Sequence, residues 1–238
     1  MDPWGHGPSM GKDNQLKHRQ FGRDLRRRPP FKEASERLLI VCEGSRTEPN
    51  YLEEIRQEYK LASTRVRVHP SLFGTGPLQV VQFAEHLFLN GDQNKNIAPR
   101  DFDRVYAVFD RDDHETYHNA LSKMASLNGR WKNRENSKVS FKAIASVPCF
   151  ELWLLLHFED VQAPVERTQI YERLQRYLPD YDKGQSGYWA STKLNLSLAI
   201  ERAKIRQNHS TAHDGVQPYT DMDRLVQKLI DLNQRYSA

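Results

Sequence analysis

The chain has 238 residues, of which 38% are hydrophobic, and this is enough for one substantial core with at most a small appendage. No apolar run approaches the roughly 18 residues of a membrane span, and no signal-peptide core follows the N-terminus, so we expect a cytoplasmic protein without a membrane partner. The two cysteines both lie in apolar sequence, which excludes a disulfide scaffold and favours a reduced compartment.

The net charge of +4 is concentrated near the N-terminus. Residues 11–32 contain eight lysines and arginines against two aspartates, whereas the rest of the chain is nearly neutral. We therefore predict a basic, flexible arm over residues 1–36, in which 1–9 look like an expression leader. Such an arm favours a polyanion, because binding releases counterions from phosphates, although a solubilising tail is the alternative. The predicted nucleic-acid contacts are Arg23, Arg26, Arg27, Arg28 and Lys32.

Strands and helices are predicted to alternate up to residue 160. The predicted strands are 38–42, 65–69, 105–109 and 139–145, and the predicted helices are 48–60, 78–89, 114–127 and 150–158. This order predicts an α/β core over residues 37–160, with a mostly parallel four-stranded sheet between helices. After it, only amphipathic helices are predicted, at 168–178, 194–207 and 222–232. We expect residues 161–238 to form a helical extension packed on the core.

Acidic residues end two of the apolar strands. Glu43 directly follows the first predicted strand, and Asp110 and Asp112 follow the third. Because the carboxyl ends of parallel strands line the ligand crevice of an open sheet, these carboxylates are expected to meet there. A few hard oxygen ligands suit Mg²⁺ or Mn²⁺, for which phosphoryl chemistry is the natural use. For each acid alone, a helix cap or a solvated turn is the alternative.

Glu151 is the single charge in the apolar run 149–156. A buried carboxylate is costly unless it is paired or binds a metal. Glu151 therefore either completes the site or belongs to a buried ion pair that supports the fold.

Together these motifs resemble the RloB-like family and the Toprim arrangement, in which one glutamate follows the first strand and a D-x-D follows a later one. The resemblance rests on the RRR arm, C-E-G-x-x-T-E from Cys42, the D-x-D from Asp110, S-V-P-C-F-E-L-W-L-L-L-H-F over 146–158, Tyr181-x-Lys183 and Pro218-x-Thr220.

The resemblance implies a Toprim-like fold and nuclease activity. It implies that Glu43 is a general base or metal ligand and that Asp110 and Asp112 are metal ligands. Glu151 would complete the site or transfer a proton. Lys183 would contact the scissile phosphate or stabilise transition-state charge, and an ordinary solvated lysine is the alternative on spacing alone. Relatives are associated with bacterial anti-phage and abortive-infection loci, often beside an ATPase.

The sequence thus predicts a Mg²⁺- or Mn²⁺-dependent nuclease, the effector of an anti-phage system, that hydrolyses phosphodiester bonds in DNA or in a structured RNA such as tRNA. One alternative is a non-catalytic nucleic-acid-binding subunit that partners an ATPase. Another is a phosphotransfer protein like a response-regulator receiver. The single acid after the first strand and the helical C-terminal third argue against this last alternative.

Overall fold

The computed structural model describes residues 36–112, 115–214 and 218–237. The predicted arm up to residue 35, including the five predicted nucleic-acid contacts Arg23, Arg26, Arg27, Arg28 and Lys32, lies outside the described residues.

Strands and helices alternate along the described chain. The strands are β1 (Leu38–Cys42), β2 (Val66–Pro70), β3 (Arg104–Asp110), β4 (Ser140–Val147) and β5 (Tyr219–Thr220). The α-helices are α1 (Thr47–Glu58), α2 (Pro77–Asn90), α3 (Tyr117–Leu127), α4 (Glu151–Leu156), α5 (Arg167–Gln175), α6 (Tyr188–Thr192), α7 (Leu196–Gln207) and α8 (Met222–Ser237).

The strands form one mixed sheet in the order β2-β1-β3-β4-β5. The first four strands are parallel, and β5 runs antiparallel to β4. This confirms the predicted α/β class and the mostly parallel sheet flanked by helices. The predicted count of four strands is wrong. β5 has only two residues, too few for a periodic pattern, and it is held by its pairing with the end of β4 and by a 3.0 Å hydrogen bond between the hydroxyls of Ser146 and Thr220.

The sheet is buried on both faces, and this explains why β1 is apolar at every position. Leu38, Ile40 and Cys42 pack into one core layer with side chains of α1, α4, α7 and α8. Leu39 and Val41 pack into the other layer with side chains of α2 and α3. No position within β1 can therefore carry a polar side chain, and the first such position is the residue after the strand ends.

The segment after residue 160 returns to the core at several places. α5 and α7 contact α4, α8 contacts α1 and β4, and α6 contacts α1. None of the helices within the described residues has the length and hydrophobicity that crossing a bilayer requires.

Candidate active site at the carboxyl ends of the central strands

A cavity of about 280 Å³ opens beside the carboxyl ends of β1 and β3. The carboxylates that line it are Glu43, Glu48, Asp110, Asp112 and Glu151, and the cationic side chains are Arg46, Arg167 and Lys183. The five residues that the sequence predicted as catalytic or metal-binding groups (Glu43, Asp110, Asp112, Glu151 and Lys183) thus all face one cavity. Their chemical roles remain predictions.

Glu43 is attached to the end of β3 as well as to its own strand. The parallel register pairs Cys42 with Val108, and the Glu43 N–H donates to the Val108 carbonyl at 2.9 Å. The Asp110 N–H in turn donates to Glu43 Oε2 at 2.8 Å. Burial raises the pKa of Glu43 to about 7, the hydrogen bond from Asp110 opposes this rise, and the charges of nearby Glu48 and Asp112 add to it.

Asp110 is the last residue of β3 and is only 6% exposed. Burial raises its pKa well above the ordinary range, and the charges of Glu48, Glu151 and Glu43 raise it further. When they are ionised, the carboxylates around this small cavity therefore repel one another. A protein tolerates such an arrangement when a proton or a cation neutralises part of the charge.

Asp112 lies in the turn after β3 and forms an ion pair with Arg167 at the start of α5. Two hydrogen bonds hold the turn against the end of β4: the Arg111 N–H donates to the Ser146 carbonyl at 2.9 Å, and the Asp112 N–H donates to the Pro148 carbonyl at 3.2 Å. Arg167 Nε also donates to the Tyr171 hydroxyl at 3.2 Å. The guanidinium is thereby fixed at the cavity wall.

Glu151 begins α4 and is 1% exposed. Its Oε1 accepts a hydrogen bond from the Tyr181 hydroxyl at 2.8 Å, and Lys183 Nζ lies 3.8 Å from the same oxygen. Its Oε2 is buried and has no hydrogen-bond partner among the described residues. An unsatisfied buried carboxylate oxygen is costly, so it marks a position where a cation or a donor from a ligand would be favourable.

Residues 181–187, which we call the strap loop, carry Tyr181 and Lys183 to the cavity. The Gly184 N–H donates to Thr47 Oγ1 at 3.0 Å, and Asn50 Nδ2 donates to the Gly184 carbonyl at 3.1 Å. Gly184 has a φ of +88°, and a Cβ there would stand 3.1 Å from the Arg46 side chain. The strap loop is therefore fastened to the first turn of α1, directly above the end of β1.

Sequence reasoning missed Glu48 and Arg167 as site residues. Glu48 is 7% exposed, and a Cβ on Gly44 would stand 1.9 Å from Glu48 Oε2, so a larger residue at position 44 would displace this carboxylate. The T-E of the C-E-G-x-x-T-E motif was a usable signal, but an acid in the first turn of a helix usually just complements the helix dipole. No sequence pattern identified Arg167, because its partner Asp112 lies 55 positions away in the chain.

The donor set fits a hard divalent cation, although the site is not a closed cage. Among the residues that the structure describes, no three acidic, histidine or cysteine side chains are placed to hold a metal ion together. Mg²⁺, however, commonly takes one or two carboxylates and completes its shell with water and substrate phosphate. The raised pKa values of Glu43 and Asp110 and the unpartnered Oε2 of Glu151 show where such a cation would lower the energy of the site.

Comparison with known proteins gives one match. The model of the family described as RloB-like protein matches residues 38–229. No curated protein and no solved structure matches the chain. The matched residues span the sheet and every residue that lines the cavity. The chain therefore belongs to the RloB-like family.

Proposed function

We propose that the protein is a metal-dependent nuclease of the Toprim type that hydrolyses phosphodiester bonds in nucleic acid. The observation that carries this proposal is the convergence of five carboxylates and three cationic side chains on one cavity at the ends of β1 and β3. Carboxylates suit a divalent cation, and arginine and lysine suit phosphate. A cavity that has both is suited to a phosphodiester bound together with a metal.

Glu43, Asp110 and Asp112 would hold Mg²⁺ or Mn²⁺. The metal would neutralise charge on the phosphate and lower the pKa of a bound water. Burial raises the pKa of Asp110 most, and the charges of the neighbouring carboxylates raise it further. A bound cation would relieve this repulsion, which supports the assignment. The placement of one glutamate after β1 and of a D-x-D after β3 supports the Toprim-type arrangement.

The chain's other polar groups have separable tasks in this proposal. Glu43, with a pKa raised by burial to about 7, is suited to proton transfer near neutral pH if it does not bind the metal directly. Lys183 and Arg167 bind the phosphate and stabilise its charge in the transition state. Glu151 lies 3.8 Å from the Lys183 ammonium group and positions it, and the hydrogen bond from Tyr181 holds Glu151 in place.

The biological setting rests on the family alone. From the resemblance to the RloB-like family, to which the chain belongs, we propose an effector role in anti-phage or abortive-infection defence, an adjacent ATPase and a cytoplasmic location. DNA and structured RNA both remain candidate substrates.

The test compares two buried aspartates. Asp110→Asn changes an acid in the cavity, whereas Asp221→Asn changes an acid outside it that is 4% exposed and accepts a hydrogen bond from Tyr219. Labelled DNA and RNA pools are incubated with each purified protein in Mg²⁺ or Mn²⁺. We expect Asp110→Asn to lower the cleavage rate by about 100-fold or more and Asp221→Asn to change it little. Equal rates for the two variants, or no cleavage by the unaltered protein, would contradict the proposal.

A non-catalytic nucleic-acid-binding subunit that partners an ATPase is the second candidate. The ion pair between Asp112 and Arg167 favours it, because a salt bridge gives that carboxylate a purely structural task. Calorimetric titration with Mn²⁺ separates the two functions. The nuclease requires a binding site that Asp110→Ala removes, whereas the binding subunit has no such site to lose.

A further inference from the structure

The loop Ser71–Gly76, which we call the 71–76 loop, brings apolar side chains to the rim of the cavity. It joins β2 to α2, and the Ser71 N–H donates to the Cys42 carbonyl at 2.8 Å, so it starts level with the end of β1. Thr75 lines the cavity. Leu72 is 63% exposed and Phe73 is 45% exposed. Two adjacent apolar side chains this exposed, on a loop that reaches the cavity rim, are candidates for contact with a ligand.

The structure holds Phe73 in a defined position. Its ring packs edge-on against Phe83 of α2, with centroids 5.1 Å apart, and lies 5.2 Å from the His86 ring. The next residue, Gly74, has a φ of +125°, and a Cβ there would stand 2.4 Å from Gln79 Oε1. The ring contacts and the tight turn at Gly74 together hold the Phe73 side chain in place, and part of its ring remains exposed to solvent.

A lysine lies beside the inner ring of this aromatic pair, and an arginine is hydrogen-bonded to the residue that follows this lysine in the chain. Lys95 Nζ lies 5.9 Å from the centroid of the Phe83 ring, and its closest acid is Asp92, at 3.9 Å. Arg67 projects from β2, and its Nη2 donates to the Asn96 carbonyl at 3.2 Å. Phe83 is buried, so Phe73 is the exposed ring of the pair. An exposed aromatic ring close to cationic side chains is a usual component of a surface that binds single-stranded nucleic acid.

The spacing connects this surface to the cavity. Phe73 is two residues from Thr75, so their Cα atoms are at most about 7 Å apart. This is comparable to the length of one nucleotide in an extended strand. A strand with a phosphate in the cavity would therefore pass close to the 71–76 loop.

We propose that the 71–76 loop is a stacking platform for an unpaired base beside the scissile phosphate. The substrate class is then nucleic acid with unpaired nucleotides, as in a single strand or a hairpin loop, and not intact duplex. A base inside a duplex is stacked between its neighbours and cannot offer its face to Phe73 without leaving the helix. This inference rests on the proposed nuclease function.

The test measures binding without cleavage. The probes are a fluorescein-labelled single strand of about 12 nucleotides, the same strand with central abasic sites, and its duplex. Fluorescence anisotropy in EDTA gives the Kd of each probe for the full chain. We expect the unaltered protein to prefer the intact single strand to both other probes. Phe73→Ala should weaken single-strand binding about 5- to 20-fold and leave abasic binding unchanged, and Phe73→Trp should restore single-strand binding.

Tyr177→Ala is the matched control, because Tyr177 is a 42% exposed aromatic residue that stacks on Phe158 and does not line the cavity. It should bind all three probes as the unaltered protein does. Thermal unfolding of Phe73→Ala detects any loss of folding. Phe73→Leu, which keeps an apolar contact with Phe83, is measured beside it.

Two results separate this inference from the nuclease proposal. If the unaltered protein cleaves nucleic acid but Phe73→Ala keeps the same ratio of single-strand to abasic affinity, the platform is wrong and the nuclease stands. If the unaltered protein binds duplex more tightly than the single strand, the platform is likewise wrong and the nuclease proposal stands. If the unaltered protein neither binds nor cleaves any probe, both proposals are overturned.

Discussion

Replacing Glu43 by glutamine should stabilise the metal-free protein at alkaline pH while removing its activity. The Glu43 pKa is 4.5 in ordinary surroundings and about 7 in the fold, where burial is the largest cause of the rise. At 1.36 kcal/mol per pH unit, this difference corresponds to about 3 kcal/mol. A glutamine amide oxygen can still accept the hydrogen bond that the Asp110 N–H donates to Glu43. The substitution therefore removes the charge and keeps the contact.

The pH dependence has a defined sign. The folded chain binds the Glu43 proton more tightly than the unfolded chain does, so the contribution of Glu43 to stability is full below about pH 4.5. This contribution is lost as pH rises to about 7, and the charged form then destabilises the fold. Glu43→Gln should consequently gain up to about 3 kcal/mol over the unaltered protein at pH 8, and much less at pH 5.

Urea unfolding in EDTA at pH 5, 6, 7 and 8 measures this difference. Glu58→Gln is the control, because a hydrogen bond from Lys193 lowers the pKa of Glu58 and the stability that it contributes rises with pH. In the same preparations, Glu43→Gln should lower metal-dependent cleavage roughly 10²- to 10⁴-fold. A stability difference that does not change with pH, or wild-type cleavage by the variant, would refute the reasoning.

Three further changes test how the site is built. Gly44→Ala places a Cβ 1.9 Å from Glu48 Oε2, so urea unfolding should show a loss of about 1–3 kcal/mol and the cleavage rate should fall. An alanine with unaltered stability would contradict the close contact. Tyr181→Phe removes the donor to buried Glu151 and should cost about 1–3 kcal/mol in the same measurement, and a neutral result would show that another donor replaces it. Lys183→Met should lower cleavage about 10-fold or more but reduce stability less than Tyr181→Phe does, because the lysine is 51% exposed and lies 3.8 Å from Glu151, whereas the Tyr181 hydroxyl donates at 2.8 Å. Equal losses in activity and stability would make the role of Lys183 structural.

The parts of the fold that the sequence predicted are those with strong local patterns. β1 and β3 are buried on both faces, so each appears as a continuous apolar run, and the acids that follow them mark the strand ends. Glu43 and Asp110 could therefore be placed at one edge of the sheet from the sequence alone. The position of β5 could not be predicted, because a strand of two residues has no periodic pattern, although Thr220 belongs to the Pro-x-Thr motif.

The missed site residues depend on tertiary packing. Glu48 appears as an ordinary first-turn acid until the absence of a Cβ at Gly44 allows its carboxylate to lie against the backbone. Arg167 reaches Asp112 only because α5 packs on α4, and nothing near residue 167 in the sequence indicates that contact. Local patterns thus predicted the carboxylates, and long-range packing was needed to find Arg167 as a cation of the site.

The strap loop also determines when the site becomes complete during synthesis. A growing chain that has emerged from the ribosome through α4 carries all five carboxylates of the cavity but, among its three cations, only Arg46. Arg167 follows with α5, and Lys183 follows when the strap loop folds back onto Thr47 and Asn50. Until then the cavity has five acidic side chains and one cation, so it is less suited to bind a phosphate than the complete site. The proposed nuclease activity would then arise only after the chain through Lys183 has been synthesised and folded.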